Sequence, residues 1–117
     1  MDSISIFLKN NNIRYIPLLS IGVDRFGFEK EEAQKVLNFL KDEVIPILGI
    51  DVYIKQNDKI QLSQTYDNWY SIRIENENFS DYANRTYMEA LSFIKNYHSA
   101  SGTPIFDICS FDLDSLD

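Results

Sequence analysis

The sequence predicts an α+β fold: a mostly antiparallel sheet of about four strands, two main helices packed on it, and a short N-terminal helix. Three observations predict this class. Two long segments repeat apolar residues at helical spacing, shorter segments between them alternate apolar and polar residues, and a further apolar run follows the second helix. Because 44 % of the 117 residues are hydrophobic, we expect one domain with its own core over residues 1–117.

The N-terminal quarter predicts short elements. Residues 2–11 predict a brief helix with Asp2 or Ser3 at its N-cap, ended by a run of three asparagines. Residues 13–28 are apolar but are interrupted by a proline and two glycines. We therefore expect a packed connector there, with a short strand around residues 18–21.

The two main helices are predicted over residues 29–44 and 81–99, the first stopped by Pro46 and the second capped by Ser80. Each has one apolar face at a spacing of three and four residues. The first face consists of Ala33, Val36, Leu37, Leu40 and Val44, and the second of Ala83, Tyr87, Ala90, Leu91, Ile94 and His98 or Tyr97.

Between the helices the period changes to two, which predicts strands over residues 47–55, 59–63 and 68–75, joined as an antiparallel meander. Residues 104–111 predict a last strand, followed by an acidic tail that we expect to be frayed from about residue 112. The inward side chains are predicted to be Leu48, Ile50, Val52, Ile54, Tyr70, Ile72 and Ile74, and the outward ones Gly49, Asp51, Tyr53, Lys55, Trp69, Ser71, Arg73 and Glu75.

The outward face of this sheet is the predicted partner-binding site. Asp51, Tyr53, Trp69 and Arg73 would form one patch, and Trp, Tyr and Arg are enriched at binding hot spots. Two alternatives stay open. The face is simply solvated, with Asp51 facing water or pairing with Arg73, or Trp69 belongs to a core covered on both sides.

Composition restricts the classes of partner. The net charge of −7, from 11 basic and 18 acidic residues, argues against nucleic acid and is compatible with a basic protein partner or with solubility alone. The N-terminal residues lack a basic region typical of a signal peptide, and no apolar stretch approaches a membrane span. With a single cysteine, we expect a cytoplasmic protein that does not associate with membranes.

Neither a catalytic group nor a cofactor is predicted. Cys109 is the one cysteine and His98 the one histidine of the chain, so a nucleophilic pair would have to consist of these two. Cys109 lies in an apolar run without neighbours that would activate a thiol. No clustered His and Cys ligands and no glycine-rich phosphate loop are present. The remaining metal option, a weaker one, is a carboxylate site made by Asp51, Asp67 and Asp107, which would suit a small metal-dependent hydrolase.

Four segments taken together resemble the immunity protein 40 family of bacterial polymorphic toxin systems. They are PLLSIGVDRFGFEKEEAQKVL, ILGIDVY, YDNWY and YMEALSFIKNY, between residues 17 and 97. The chain departs from the family pattern at Ile50, where a second glycine is expected, and at Phe28, where a tryptophan is expected. The resemblance implies a small cytoplasmic protein that protects its producer by binding a cognate toxin, as a non-catalytic inhibitor. It names neither the toxin nor the binding residues, and an adaptor module outside toxin systems is a further alternative.

Overall fold

The computed structural model describes residues 3–63, 67–99 and 101–111, with side chains from Ile6 onward. The predicted α+β class is confirmed within these ranges. The helices are α1 (Ser3–Asn10), α2 (Lys30–Asp42) and α3 (Phe79–Asn96). The strands are β1 (Ile16–Pro17), β2 (Phe26–Gly27), β3 (Ile47–Gln56), β4 (Lys59–Leu62), β5 (Trp69–Tyr70) and β6 (Thr103–Ser110). The acidic tail from about residue 112, the proposed N-cap Asp2 and residues 64–66 lie outside the described residues.

Strand β3 is the centre of the main sheet, because its ten residues are long enough to pair along both edges. Strand β6 pairs antiparallel along one edge. Strands β4 and β5 share the other edge, β5 near the start of β3 and β4 near its end. The predicted meander is therefore wrong: the third run pairs with β3 rather than with β4, and only residues 69–70 of the predicted 68–75 form a strand.

Helices α2 and α3 cover one face of this sheet, and the main core lies between the helices and the sheet. Ile50, Val52 and Ile54 of β3 pack there with the apolar faces of both helices. Most of the predicted helical core is confirmed. Leu91 and Tyr97 are partly buried against this core, and His98 is exposed. Val44 is also outside the core: α2 ends at Asp42, and Val44 is 44 % exposed with a positive φ of 55°. The N-cap of α3 is Asn78, two residues earlier than the predicted Ser80, and its side chain accepts a hydrogen bond from the Asp81 amide at 2.8 Å.

A β-bulge corrects the predicted phase at the start of β3. The register against β6 shifts between Ile47 and Gly49, so Ile47 rather than Leu48 enters the main core. The amide of Ile47 donates to Thr86 Oγ1 at 3.0 Å, which satisfies a buried backbone group between the sheet and α3.

The connector between α1 and α2 covers part of the opposite face of the sheet. It forms the small sheet β1–β2 and a 3₁₀ turn at Leu19–Ile21, where a strand was predicted, and the turn closes at Gly22 in the left-handed region. Leu18, which is fully buried, packs on Tyr53 and Ile105. One half of the second face is therefore core, and the other half is left for polar groups.

Candidate functional site

The second face of the sheet carries a polar cluster beside the covered half. Asp51 of β3 lies directly opposite Asp107 of β6. Cys109 follows Asp107 by two residues on β6. One ligand-capable atom from each of these three side chains lies within 4.8 Å of the others. Asp107 is 1 % exposed, whereas Asp51 and Cys109 are half-buried. Two carboxylates at facing positions repel each other unless each has a stabilising partner.

Arg25 of the connector neutralises the buried carboxylate. Its Nε donates to both oxygens of Asp107, at 2.8 and 3.0 Å, and its Nη2 donates to the backbone carbonyl of Ile108 at 3.0 Å. Charge-assisted hydrogen bonds of this kind are among the strongest in proteins. The ion pair therefore ties the connector to β6 and contributes to the fold.

Tyr70 of β5 is the partner of Asp51. Its hydroxyl donates to Asp51 Oδ1 at 2.6 Å, and its ring lies across Gly49, where a Cβ atom would stand 2.5 Å from Tyr70 Cδ1. The hydrogen bond to Asp51, followed by burial and the nearby negative charge, raises the pKa of Tyr70 to about 12. The hydroxyl therefore stays protonated and donating at neutral pH.

The four predicted binding residues do not form one exposed patch. Asp51 is on the predicted side of its strand, but its hydrogen bond goes to Tyr70, while Arg73 lies over the ring of Tyr82 at 5.6 Å and donates to the Glu77 carbonyl. Tyr53 is 5 % exposed, because the connector packs Leu18 against it. Burial, reinforced by Asp107 and Asp51, raises the pKa of Tyr53.

Trp69 also departs from the prediction. It pairs with Ile50, so its side chain lies on the helix-covered side and packs against the main core, as the alternative interpretation of Trp69 proposed. Tyr70 pairs with Gly49 on the opposite side. The predicted phase of this strand is therefore reversed. A contribution of Asp51, Tyr53, Trp69 or Arg73 to partner binding stays a prediction.

Sequence reasoning missed an exposed apolar surface next to Asp51. Tyr70, Ile72 and Ile74 were predicted to point inward, but they are 61 %, 80 % and 55 % exposed. Phe79 and Phe111 are also exposed and pack edge to face, with ring centroids 5.4 Å apart. We call Tyr70, Ile72 and Ile74 the Tyr70 surface. The available signal was the asparagine- and glutamate-rich stretch after Ile74, which favours a loop rather than a continued strand.

Arg85 of α3 holds the backbone beneath this surface. Its Nη2 donates to the Ile72 carbonyl at 2.7 Å, and its guanidinium also bonds the carboxylates of Glu77 and Glu89. These carboxylates raise the pKa of Arg85. The hydrogen bond from Arg85 in turn lowers the pKa of Glu77. The loop after β5 is therefore tied to α3 by a charged network.

The groups considered for catalysis and metal binding are only partly brought together. Asp51 and Asp107 are neighbours, but Asp67 accepts a hydrogen bond from the Tyr97 hydroxyl, next to the end of α3. Cys109 lies among the sheet aspartates, whereas His98 follows α3 and lines a surface pocket with Glu29 and Lys30. Among residues 3–63, 67–99 and 101–111, Asp51, Asp107 and Cys109 form a group that could hold a cation, although Arg25 already uses both oxygens of Asp107.

The comparisons with known proteins give one result. The family model described as Immunity protein 40 matches residues 17–109, which is more than half of the chain. No curated protein and no solved structure matches the chain. Within the described ranges, none of the helices has the length and apolar character that a membrane crossing requires.

Proposed function

The chain belongs to the Immunity protein 40 family, and from this we propose that it neutralises a cognate protein toxin by binding it stoichiometrically, without catalysis. The observation that carries the proposal is the family match over residues 17–109, which spans the connector, the main sheet and both main helices. The proposed place of action is the cytoplasm of the producing cell, where the toxin would otherwise act.

The chemistry of the sheet face supports binding more than catalysis. The buried carboxylate of Asp107 accepts hydrogen bonds from Arg25, and the carboxylate of Asp51 accepts a hydrogen bond from the Tyr70 hydroxyl. A general base needs an accessible acceptor aimed at substrate, and a nucleophilic thiol needs an activating base. In the described part of the chain, Cys109 and His98 belong to different regions, which disfavours such a pair.

The charge balance supports a basic toxin domain, such as a nuclease. With a net charge of −7, the chain attracts a cationic partner over a distance and speeds their encounter at low ionic strength. Such an inhibitor acts either by covering the active site of the toxin or by binding elsewhere on it. If the chain covers the active site, it should compete with the substrate of the toxin. If it binds elsewhere, it should not compete.

Co-expression tests the proposal. The cognate toxin domain, sought in the reading frames next to that of this chain, is induced in a heterologous host, with and without the chain. We expect growth to be restored by the chain, and the purified proteins to form a one-to-one complex by native mass spectrometry. Protection at far less than one chain per toxin would indicate catalysis instead. Absence of both rescue and complex, with the chain folded and expressed, would reject the proposal.

A further inference from the structure

The loop after β5 presents large apolar side chains to solvent in a regular way. Tyr70, Ile72 and Ile74 are 61 %, 80 % and 55 % exposed, and they alternate with Ser71, which is half-buried, and Arg73. Single exposed hydrophobic residues are common on protein surfaces, but contiguous ones typically mark an interaction site. Apolar exposure of this extent is costly for a loop that only connects two elements.

These side chains stand on a fixed backbone. The amide of Ser71 donates to the Leu48 carbonyl at 2.9 Å, and its hydroxyl lies 3.1 Å from the Tyr82 hydroxyl. Arg85 bonds the Ile72 carbonyl, and the Glu77 amide donates to the Ile74 carbonyl at 3.0 Å. Because little backbone freedom remains to be lost, binding through this segment would have a small ordering cost.

Tyr70 lies over the sheet at Gly49, and an exposed aromatic pair lies at the end of β6. Gly49 lies between Tyr70 on one neighbouring strand and Cys109 on the other, and Phe111 follows Cys109 by two residues. Phe111 contacts Phe79 at the start of α3. The absent side chain of Gly49 allows the Tyr70 ring to lie on the sheet, where its hydroxyl reaches Asp51.

The charge around this surface is negative. Glu75, Glu77 and Asp81 lie in the loop or at the start of α3, and Glu89 joins them through Arg85. These carboxylates stand against two arginines, of which Arg85 bonds Glu77 and Glu89 and Arg73 is engaged with the Tyr82 ring and the Glu77 carbonyl. Asp51 adds a further carboxylate beside Tyr70. A carboxylate can accept about four hydrogen bonds, and the Tyr70 hydroxyl supplies one to Asp51. A lysine or arginine of a partner would complement this charge.

We propose that the Tyr70 surface, together with Asp51 at its Tyr70 end, is where this chain docks a cationic segment of its cognate toxin that carries apolar residues beside its lysines or arginines. The inference rests on the proposed function and adds the surface and the chemistry of the partner segment. Apolar contact with Ile72 and Ile74 would supply affinity, and Asp51 would select for positive charge.

Binding of an inactivated toxin domain from the neighbouring reading frame tests the proposal by surface plasmon resonance. Ile72→Ser and Ile74→Ser, singly and together, remove apolar contacts from exposed positions. Asp51→Asn removes one charge at similar size. The matched control is Leu19→Ser, which changes an apolar side chain that is 65 % exposed on the connector.

We expect Ile72→Ser/Ile74→Ser to weaken the Kd at least tenfold, mainly through faster dissociation, and Leu19→Ser to change it less than twofold. Asp51→Asn should lower the association rate and its dependence on salt. Hydrogen exchange of the wild-type complex should show protection of residues 70–74, which gives a second measurement should a variant fail to fold.

The possible failures are distinguishable. If the wild-type chain does not bind the toxin domain, the proposed function is rejected and this inference falls with it. If the wild-type chain binds while folded surface variants bind within twofold of it and residues 70–74 exchange freely, the function stands and this docking surface is wrong. If light scattering shows a dimer that Ile72→Ser dissociates without affecting toxin binding, the occupant is a second copy of the chain, which also overturns the inference.

Discussion

Asp51 and Asp107 occupy facing positions on β3 and β6, yet their carboxylates have different partners. Asp107 accepts two hydrogen bonds from Arg25 and is fully buried, whereas Asp51 accepts a hydrogen bond from the Tyr70 hydroxyl and is half-buried. Facing like charges destabilise a sheet. The face relieves the repulsion by neutralising one carboxylate with a cation, which leaves the negative charge of the other near the surface.

Removal of the Arg25 guanidinium should therefore destabilise the fold. In Arg25→Ala the buried carboxylate of Asp107 loses this cation while it still faces Asp51. We expect the free energy of unfolding to fall by about 2–4 kcal/mol, below the largest values for buried pairs because the Arg25 side chain is 30 % exposed. Urea unfolding followed by circular dichroism measures this loss.

A double variant serves as the control for Arg25. Asp107→Asn removes the charge that Arg25 neutralises, so Arg25→Ala should cost less in that background than in the wild-type chain. Lys59→Ala, at an exposed position of β4, should leave the unfolding free energy within about 0.5 kcal/mol of wild type. Equal costs of Arg25→Ala in both backgrounds would contradict the coupling.

Tyr70 should ionise late. Its pKa is raised from 10.0 to about 12, chiefly by the hydrogen bond to Asp51. Because the folded-state pKa is raised, the stability that this bond contributes is fully present below pH 10 and is lost as the pH rises towards 12. The ultraviolet absorbance difference between wild type and Tyr70→Phe should therefore show one tyrosinate step near pH 12.

Asp51→Asn provides the matched test for Tyr70. Without the carboxylate, the Tyr70 step should move back towards pH 10, because the charged acceptor that favours the protonated hydroxyl is gone. A wild-type step already at pH 10 would contradict the 2.6 Å hydrogen bond.

The helices and the central strand could be predicted from the sequence because long periodic segments carry many independent signals. Ala33, Val36, Leu37 and Leu40 are all buried as their spacing requires. The short strand β5 gave no such redundancy. Which of Trp69 and Tyr70 faces the helices depends on pairing with Ile50 and Gly49, a long-range contact that alternation does not specify.

The site was less predictable than the fold for the same reason. The outward position of Asp51 follows from its strand, but Arg25 and Asp107 are 82 residues apart and carry no local signal of pairing. Ile72 and Ile74 were assigned inward because apolar residues usually are. Their exposure breaks that local rule, and such breaks are expected where a surface serves binding.

The predicted binding residues Tyr53 and Arg73 should now separate in a stability experiment. Tyr53 is packed between Leu18 and Ile105, so Tyr53→Ala should reduce the unfolding free energy by about 3 kcal/mol. Arg73 is exposed and contributes a contact with the Tyr82 ring, so Arg73→Ala should cost about 0.5–1 kcal/mol. Equal costs by urea unfolding would contradict the burial of Tyr53.

Divalent cations should not stabilise the chain appreciably. Although Asp51, Asp107 and Cys109 lie close together, the Arg25 guanidinium bonds both oxygens of Asp107, and a cation would have to displace it. Added magnesium or calcium should therefore leave the melting temperature unchanged, since a ligand stabilises a fold only by binding it. A clear rise that disappears in Asp51→Asn would contradict this and favour the metal-dependent alternative.

Gly49→Ala tests whether the absent side chain at this position sets the place of the Tyr70 ring. A Cβ atom there would lie 2.5 Å from Tyr70 Cδ1 and 3.0 Å from the Trp69 carbonyl oxygen, so the ring has to move. We expect a loss of about 1–3 kcal/mol in unfolding free energy and a Tyr70 step that moves back towards pH 10, because the displaced hydroxyl no longer reaches Asp51.

The control is Gly22→Ala, where φ is 82° and a Cβ atom meets nothing within 4 Å. Its strain should lower stability without moving the Tyr70 step, since Gly22 closes the 3₁₀ turn of the connector and a Cβ atom there does not meet the Tyr70 ring. If the Tyr70 step in Gly49→Ala stays near pH 12, the ring does not depend on the glycine, and the Asp51 hydrogen bond alone fixes its position.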